Sequence, residues 1–182
     1  MTAFSDSKAT YSRVMRVRQV RPEDLDACAA IEAACYGPEG ATRERIEKRI
    51  RVFPQGFLVG ELEGRIFGFI NSGATSKDDI TDEAFKDLVG HEPDGANLVI
   101  FSLAIHPQQQ KQGLSRPLME AFIETARRQG KRKILLLCRE HLLGYYAKYG
   151  FAHVGESRST HGGLRWHEME LALAAQAKEA RS

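Results

Sequence analysis

The chain has 182 residues, of which 42% are hydrophobic and 27% are charged, and its formal net charge at pH 7 is +2. These values are typical of one ordinary globular domain that is long enough to bury a substantial core. The small net charge implies no large polyelectrolyte partner, so we expect no binding to nucleic acid.

The cysteines, the histidines and the N-terminal residues indicate the cellular compartment and whether a metal site or membrane segment is expected. Cys28, Cys35 and Cys138 are an odd set without a Cys-x-x-Cys pair, which argues against a disulfide framework and fits a reducing compartment. The six histidines show no zinc-like spacing with these cysteines, so we expect no metal site. The N-terminus lacks the apolar core of a signal peptide, and no apolar run approaches the ~18 residues of a membrane helix. We therefore predict a cytoplasmic protein that does not associate with membranes.

The first half of the chain predicts three strands and three helices. Residues 14–20 alternate as a strand does, and Pro22 before two acidic residues indicates a helix start. Gly37 and Pro38 end that helix. Two strands around Glu63-Gly64 predict a hairpin, because a two-residue turn containing glycine suits strand twist. The elements are strands at 14–20, 56–62 and 65–73, helices at 22–36 and 43–52, and a short helix at 80–90.

The second half predicts two central strands with a helix between them. "NLVIFSLAI" (97–105) and "KILLLC" (133–138) are apolar almost throughout, which is typical of strands covered on both faces. An amphipathic helix precedes Gly130, and a short helix at 141–150 and an antiparallel pair at 151–157 and 166–173 follow. The predicted organisation is a flexible tail at 1–12, one mixed α/β domain at 13–173 and a polar tail at 174–182.

The loop "HPQQQKQGLS" (106–115) lies between the first central strand and its helix. A strand, a loop with glycine and a helix start bind phosphates, because the first N–H groups of a helix lack internal partners and attract anions. Here Gly113 permits close approach of the backbone, Gln110, Lys111 and Gln112 add donors, and Ser115 is placed to cap the helix. The alternative is a solvated loop in which Gly113 only makes a turn.

Three stretches in order carry a resemblance to a known family: "LAIHPQQQKQGLSRPLM" (103–119), "LLLC" (135–138) and "YYAKYGF" (145–151). They resemble the GNAT acetyltransferase superfamily. "GFLVGELEGRIFGFI", "ITDEAF", "HEPDGA" and "CREHLLGYYAKYGF" are most similar to its arylalkylamine (serotonin-type) N-acetyltransferases, and the resemblance covers residues 16–173. The family's Gln/Arg-x-x-Gly-x-Gly/Ala loop falls on Gln110, Gly113 and Ser115, with serine in place of the usual glycine or alanine.

The resemblance implies an α/β fold with a mixed, mostly antiparallel central sheet, splayed at the middle, and helices on both faces. It also implies acetyl-CoA as cofactor, with its pyrophosphate on the loop amides and its pantetheine arm lying along the preceding strand like an added strand. The implied cofactor-binding residues are Leu103, Ala104, Ile105, Gln110, Lys111, Gln112, Gly113, Leu114, Ser115 and Tyr146. The basic run at 127–133 either reaches the ribose phosphate or, as we favour, is a solvated cationic helix end.

For the chemistry, the resemblance implies Tyr146 as the general acid, with its phenol pointing at the thioester sulfur. The alternative is that Tyr145, Tyr146 and Tyr149 are all core aromatics. The general base is open, since vertebrate relatives carry two histidines where this chain has Val99 and Phe101. The candidates for the base are Ser102, Glu32, Glu39 and His167.

The acceptor pocket is expected to involve Tyr36 in the "CYGPEG" loop, Phe53-Pro54 and Phe101. Phe53-Pro54 resembles the aromatic-proline floor of the arylalkylamine subgroup, although these residues serve equally well as packing. The favoured function is acetyl transfer to a primary amine of a small, arylalkylamine-like molecule by direct attack in a ternary complex, carried out by a monomer or homodimer. The alternatives are a polyamine, amino acid, antibiotic or protein amine as acceptor, and a non-catalytic acyl-CoA sensor.

Overall fold

A computed structural model describes residues 14–174, so the predicted N-terminal tail and all but the first residue of the C-terminal tail lie outside the described residues. Within this range the strands form one seven-stranded sheet accompanied by four α-helices. The strands are β1 Met15–Gln19, β2 Phe57–Leu62, β3 Arg65–Thr75, β4 Asn97–Ile105, β5 Lys133–Cys138, β6 Ala152–Glu156 and β7 His167–Ala172. The helices are α1 Leu25–Tyr36, α2 Arg43–Val52, α3 Ser115–Arg128 and α4 Leu143–Ala147.

The sheet confirms the predicted mixed α/β fold. Its strand order is β1-β2-β3-β4-β5-β7-β6, and β4 and β5 are parallel while the other neighbours are antiparallel. The β2–β3 hairpin turns at Glu63 and Gly64, whose φ angles are 52° and 78°. Two consecutive residues with positive φ match the right-handed twist of the flanking strands, and glycine adopts this conformation without steric cost.

Helices cover both faces of the sheet. On one face α3 buries a stripe at helical spacing, consisting of Leu118, Met119, Phe122, Ile123 and Ala126. On the other face α1 and α2 bury a second set, consisting of Cys28, Ile31, Ile46 and Ile50. Full burial of one large apolar side chain contributes about 1.5–3 kcal/mol, so these stripes hold the helices on the sheet. Between residues 14 and 174 no helix has the length and apolar character needed to span a bilayer.

The sheet opens between its two parallel strands. β4 and β5 pair only as far as Ile100 and Leu136, although β4 continues to Ile105 and β5 to Cys138. Beyond this level the two strands have no ladder between them, and a cleft lies where their carboxyl ends diverge. This is the splayed sheet that the family resemblance implies.

A β-bulge in β4 coincides with the opening. Ile100 lies opposite Ser72 of β3 and Ser102 lies opposite Asn71, so Phe101 is the extra residue of the bulge. A bulge bends its strand and increases its local twist. The second half of β4 therefore diverges from β5 after the bulge. Both Phe101 and Ser102 face the helices, where they contact α2 and α1, respectively.

Two local predictions need correction. Ser115 does not cap α3: it is the first helical residue, and the N-cap position is Leu114, which makes no side-chain cap bond. The physical reason is that Gly113, with φ of 76°, turns the chain into the helix one residue earlier than expected. The helix predicted at 80–90 is a short 3₁₀ helix at Glu83–Asp87.

Candidate active site

The loop between β4 and α3 presents unpaired backbone donors. No backbone N–H group of residues 110–115 donates a hydrogen bond to another residue of the described chain. Lys111 and Gly113 both have positive φ, and a Cβ added at Gly113 would meet nothing within 4 Å. Free N–H groups ahead of the positive end of a 14-residue helix are the arrangement that binds phosphate groups.

The second half of β4 offers two backbone carbonyls outside the sheet ladder. Leu103 O accepts a hydrogen bond from the Tyr36 hydroxyl at 2.5 Å. Ile105 O accepts from Gln110 Nε2 at 3.0 Å and from Cys35 Sγ at 3.1 Å. An extended ligand that carries amides uses such groups as an added β-strand does. The side chains of Tyr36, on α1, and of Gln110, in the loop at 110–115 (the phosphate loop), thus occupy the carbonyls that such a ligand would use.

Tyr146 stands on α4, on the β5 side of the cleft, and is 8% exposed. Its ring packs against Tyr145 and Phe151, with centroids 5.0 and 5.7 Å away. Its hydroxyl has no hydrogen-bond partner in the described part of the chain, whereas the Tyr149 hydroxyl donates to that of Tyr145 at 3.5 Å. Burial, followed by the proximity of Tyr36, raises the pKa of Tyr146 above its usual value near 10. The phenol therefore keeps its proton at neutral pH.

Two candidates for the general base meet on the α1 side. The Ser102 hydroxyl donates to Glu32 Oε1 at 3.0 Å, and the Ala41 N–H donates to the same oxygen at 2.9 Å. Glu32 is 2% exposed, and its Oε2 is buried without a partner among the described residues. Burial raises the pKa of Glu32, against the opposing effects of these hydrogen bonds and of the Arg49 charge. A carboxylate with a raised pKa is a stronger proton acceptor than an exposed one.

A buried arginine that the sequence reasoning did not select lies beside this pair. Arg49 on α2 is 3% exposed; its Nη1 donates to Asn71 Oδ1 at 3.2 Å and its Nη2 to the Lys86 carbonyl at 3.0 Å. Its guanidinium carbon lies 4.5 Å from the centre of the Phe101 ring, within the range of a cation–π contact. Arg49 therefore joins α2 to both strands at the bulge.

The sequence does contain an indication of both missed residues. Arg49 lies on the buried side of α2 between Ile46 and Ile50, and Asn71 lies in the buried part of β3. A charged or amide side chain inside an otherwise apolar face must be hydrogen-bonded or functional, because its burial is costly. A polar residue in an otherwise apolar face is therefore the sequence pattern that indicates Arg49 and Asn71.

The predicted pair Phe53-Pro54 makes packing contacts. Phe53 is 4% exposed and packs edge-on against His91 with centroids 4.6 Å apart. Pro54 lines a separate cavity of about 550 Å³ together with Leu25, the first residue of α1. The 12-residue helix puts Leu25 about 16 Å from Tyr36. These contacts are consistent with the packing interpretation, and a role of Phe53-Pro54 in the acceptor site stays a prediction.

The side chains of the other two candidates for the base contact histidines. His167 Nδ1 is 3.1 Å from His153 Nε2, and Glu39 Oε2 lies 3.9 Å from His161 in the loop between β6 and β7. Lys131, in the basic run, is buried and its Nζ donates to two loop carbonyls at 2.7 Å each. This run follows the C-terminal end of α3, opposite the phosphate loop, which agrees with the favoured interpretation of a helix end.

The whole arrangement matches a known family. The model described as an acetyltransferase (GNAT) domain matches residues 25–173, from the first residue of α1 to just past β7. The chain belongs to the GNAT acetyltransferase family. The matched range includes the splayed parallel strands, the glycine-containing loop at 110–115 and the tyrosine on α4.

Two curated relatives are similar to this chain, and one of them is named an N-acetyltransferase. Serotonin N-acetyltransferase of Mesocricetus auratus is 30% identical over 165 residues, which cover 88% of this chain and 78% of that protein. The probable hydrolase YhcX of Bacillus subtilis is 27% identical over 136 residues, or 69% of this chain. This chain spans only about a quarter (26%) of the length of YhcX, so YhcX informs on the shared domain alone.

Solved structures support the GNAT fold. The loading GNATL domain of CurA from Lyngbya majuscula has a TM-score of 0.77 at 20% identity, with 87% of this chain and 98% of that chain covered. The GphF GNAT-like decarboxylase in complex with isobutyryl-CoA has a TM-score of 0.76 at 22% identity, covering 87% and 100%. YncA from Salmonella typhimurium, solved with its cofactor acetyl-CoA, has a TM-score of 0.64 at 20% identity, covering 92% and 99%.

Proposed function

We propose that this protein is an acetyl-CoA-dependent N-acetyltransferase that acetylates the primary amine of a small molecule by direct attack in a ternary complex. The observation that carries the proposal is the opening at the Phe101 bulge, which sets Tyr146 on one side of a cleft and the Glu32–Ser102 pair on the other. Amine acylation requires one proton acceptor and profits from one proton donor, and these residues supply both.

Acetyl-CoA is the co-substrate. The family transfers acyl groups from CoA thioesters, and both GphF and YncA were solved with such a thioester. Its pyrophosphate lies on the amides of residues 110–115, and Gly113, Leu114 and Ser115 lead these amides into α3. Its pantetheine arm extends along Leu103–Ile105, where it takes the carbonyls now held by the side chains of Tyr36 and Gln110.

The reaction forms a bond between the amine nitrogen and the acetyl carbon and breaks the bond from that carbon to sulfur. An alkylammonium has a pKa of about 10.4, so it must lose a proton before attack and a second one as the amide forms. The alkylammonium releases its first proton to solvent, and Glu32 accepts the second one, directly or through the Ser102 hydroxyl. Tyr146 donates its phenolic proton to the departing thiolate, and both residues then exchange protons with solvent. Orientation of the two substrates supplies on the order of 7–11 kcal/mol.

An arylalkylamine is the acceptor that we favour. Phe101 forms an aromatic wall at the bulge, packed at 5.3 Å against Phe85 and held under Arg49. An apolar wall suits an aromatic or alkyl group, whereas a polyamine needs several carboxylates around its charges. The 30% identity to a serotonin N-acetyltransferase supports the same acceptor class. Tyr36, at the end of α1, is the acceptor-side residue that also borders the cofactor.

An acceptor screen tests the proposal. Purified protein is first titrated with CoA by calorimetry, and CoA at ~100 times its Kd should raise the free energy of unfolding by roughly 2.7 kcal/mol. Acetyl-CoA and thiol detection are then used with tryptamine, phenethylamine, polyamines, amino acids, aminoglycosides and peptide N-termini. We expect the highest kcat/KM with the arylalkylamines. CoA binding without turnover on any acceptor favours the sensor function, and no CoA binding at millimolar concentration overturns the proposal altogether.

A further inference from the structure

Three buried polar atoms without hydrogen-bond partners in the described chain surround the bulge: Glu32 Oε2, Arg49 Nε and Asn71 Nδ2. Their residues are 2%, 3% and 0% exposed. Buried polar groups are almost always paired, and each exception requires an explanation. One acceptor and two donors concentrated next to the proposed reaction centre point to a chemical role for the cluster.

Hydrogen bonds, strand pairing and one cation–π contact connect the cluster to the residues proposed to meet the substrates. Glu32 is bonded to Ser102, and Ser102 lies opposite Asn71 in the sheet. Asn71 accepts from Arg49, and Arg49 lies over the ring of Phe101, the proposed acceptor wall. Arg49 is therefore linked to Glu32, the proposed base, and to Phe101, the proposed acceptor wall.

Arg49 carries a buried charge without a close counter-ion. Within residues 14–174 no carboxylate oxygen lies within 4 Å of its guanidinium, while Asp87 is held by Arg45 at 2.6 Å. Burial lowers the pKa of Arg49 to about 10, and the negative charge of Glu32 opposes this effect most strongly. Arg49 is thus cationic at neutral pH, and Glu32 is its main electrostatic partner. A buried cation without a close counter-ion destabilises the fold, so a functional role for Arg49 is the explanation that we pursue.

Other groups facing Glu32 do not carry charge at neutral pH. From α1 these are Cys28, Cys35 and Tyr36, whose pKa values burial raises, that of Cys28 to about 12. From β4 the neighbour is the Ser102 hydroxyl, and from the loop after α1 it is a backbone N–H. Among the described residues, Arg49 of α2 is the cation linked to Glu32, through its hydrogen bond to Asn71, which lies opposite Ser102 in the sheet.

We propose that Arg49 is a positioning residue for acetyl transfer: it fixes the Phe101 wall, and its buried positive charge keeps Glu32 ionised and therefore free to accept the proton of the amine. The inference rests on the proposed function, because the proton that Glu32 accepts comes from the amine substrate. Its electrostatic part concerns Glu32 alone and can be measured without any acceptor.

The test follows the ionisation of Glu32. In protein labelled with ¹³C at glutamate side chains, the Glu32 resonance is assigned by its loss in Glu32→Gln and titrated in the wild type, Arg49→Gln, Arg49→Met and Arg49→Lys. We expect Arg49→Gln and Arg49→Met, which both remove the charge, to move the Glu32 midpoint up by about 1 pH unit, the lower end of the effect of one opposite charge. Arg49→Lys keeps the charge and should keep the midpoint. Arg51→Gln removes an exposed cation from the same helix and is the matched control.

Activity provides the second readout. With an acceptor that the wild type uses, the acidic limb of kcat/KM should move with the Glu32 midpoint in the same variants, while the Kd for CoA stays constant. An unchanged midpoint in Arg49→Gln and Arg49→Met overturns the inference, and Arg49→Met, which keeps most of the aliphatic stem, decides alone where Arg49→Gln does not fold. A midpoint that moves while the limb does not also overturns it. Failure of the wild type to acetylate any amine contradicts the proposed function and leaves the electrostatic result standing.

Discussion

The Tyr36 hydroxyl donates to the Leu103 carbonyl at 2.5 Å, so the last residue of α1 closes the free edge of β4. The same helix carries Glu32 one turn earlier, bonded to Ser102 on the same strand. Helix α1 therefore contacts β4 both where the cofactor arm is proposed to lie and where the amine is proposed to react. A cofactor that takes the Leu103 carbonyl must displace the tyrosine hydroxyl.

This competition predicts the effect of Tyr36→Phe on cofactor affinity. The substitution removes the hydroxyl and keeps the ring, so the Leu103 carbonyl is free before CoA binds. A hydrogen bond of this kind contributes about 0.5–1.5 kcal/mol, and its removal should tighten CoA binding by about 2- to 10-fold in calorimetry. Weaker binding by Tyr36→Phe would mean that the hydroxyl contacts the cofactor directly.

The phosphate loop predicts a selective effect of Gly113→Ala. Gly113 has φ of 76° and open space around it, so an added Cβ costs about 1–2 kcal/mol of conformational energy without a clash. Gly64 in the β2–β3 turn has φ of 78° and the same open surroundings, which makes Gly64→Ala the matched control. Both variants should lose similar stability in urea denaturation, but Gly113→Ala alone should bind CoA at least about 10-fold more weakly, since strain there displaces the loop amides. Equal CoA affinity in the two variants would show that the pyrophosphate lies elsewhere.

Local sequence patterns predicted the elements well because local physics determines them. The β2–β3 hairpin follows from its alternating strands and from Glu63-Gly64, and α2 ends where Phe53 and Pro54 cannot continue it. The opening of the sheet came from the family resemblance and not from the residues of β4. Residues 97–105 are apolar almost throughout, so the change of face at Phe101 leaves no trace in their hydrophobic pattern.

The candidate site was predicted in part for the same reason. The Gln110–Ser115 loop and Tyr146 lie in contiguous motifs, whereas the cluster around the bulge joins Glu32, Arg49 and Asn71 from three separate elements. Only tertiary packing brings such residues together. The sequence alone does not place Phe53-Pro54 either, because nearness in sequence to α2 does not tell which end of α1 a residue meets.

Buried ionisation predicts that Glu32→Gln stabilises the protein at neutral pH while it impairs turnover. The pKa of Glu32 in the folded state is raised, so its neutral form is stable below the unfolded value near 4.5, and stability is lost as pH rises through the folded pKa. This direction already includes the attraction of Arg49. Glutamine mimics the neutral acid, so the variant and the wild type should unfold alike near pH 4 and differ by about 1–3 kcal/mol at pH 8.

The measurement is urea denaturation at both pH values, with kcat/KM measured alongside. Glu61→Gln is a contrasting control, because hydrogen bonds from Arg18 and Arg16 lower the pKa of Glu61 to about 2. Glu61 stabilises the protein above its unfolded pKa, and its loss should therefore destabilise at pH 8. If Glu32→Gln is no more stable than the wild type at pH 8, burial does not disfavour the ionised form of Glu32, and the pKa of this proposed proton acceptor is not raised.

Tyr146→Phe is the sharpest test of the acid. The substitution keeps the packing against Tyr145 and Phe151 and removes only the phenolic proton, so the fold and CoA affinity should survive. Turnover should fall by about 10²–10⁴-fold where protonation of the thiolate limits the rate. Because burial raises the pKa of Tyr146 above 10, the wild type should lose no activity through ionisation of this residue below pH 10.

Tyr145→Phe is the matched control on the same helix, since the Tyr145 hydroxyl is already engaged by Tyr149 at 3.5 Å. Single-turnover kinetics with saturating acetyl-CoA separate chemistry from product release in both variants. A loss confined to Tyr145→Phe would transfer the acid role to the neighbouring ring. If neither variant slows the chemical step, the thiolate leaves without a proton from the protein, which its pKa of about 8.5 makes feasible, and the cleft then acts through orientation and Glu32 alone.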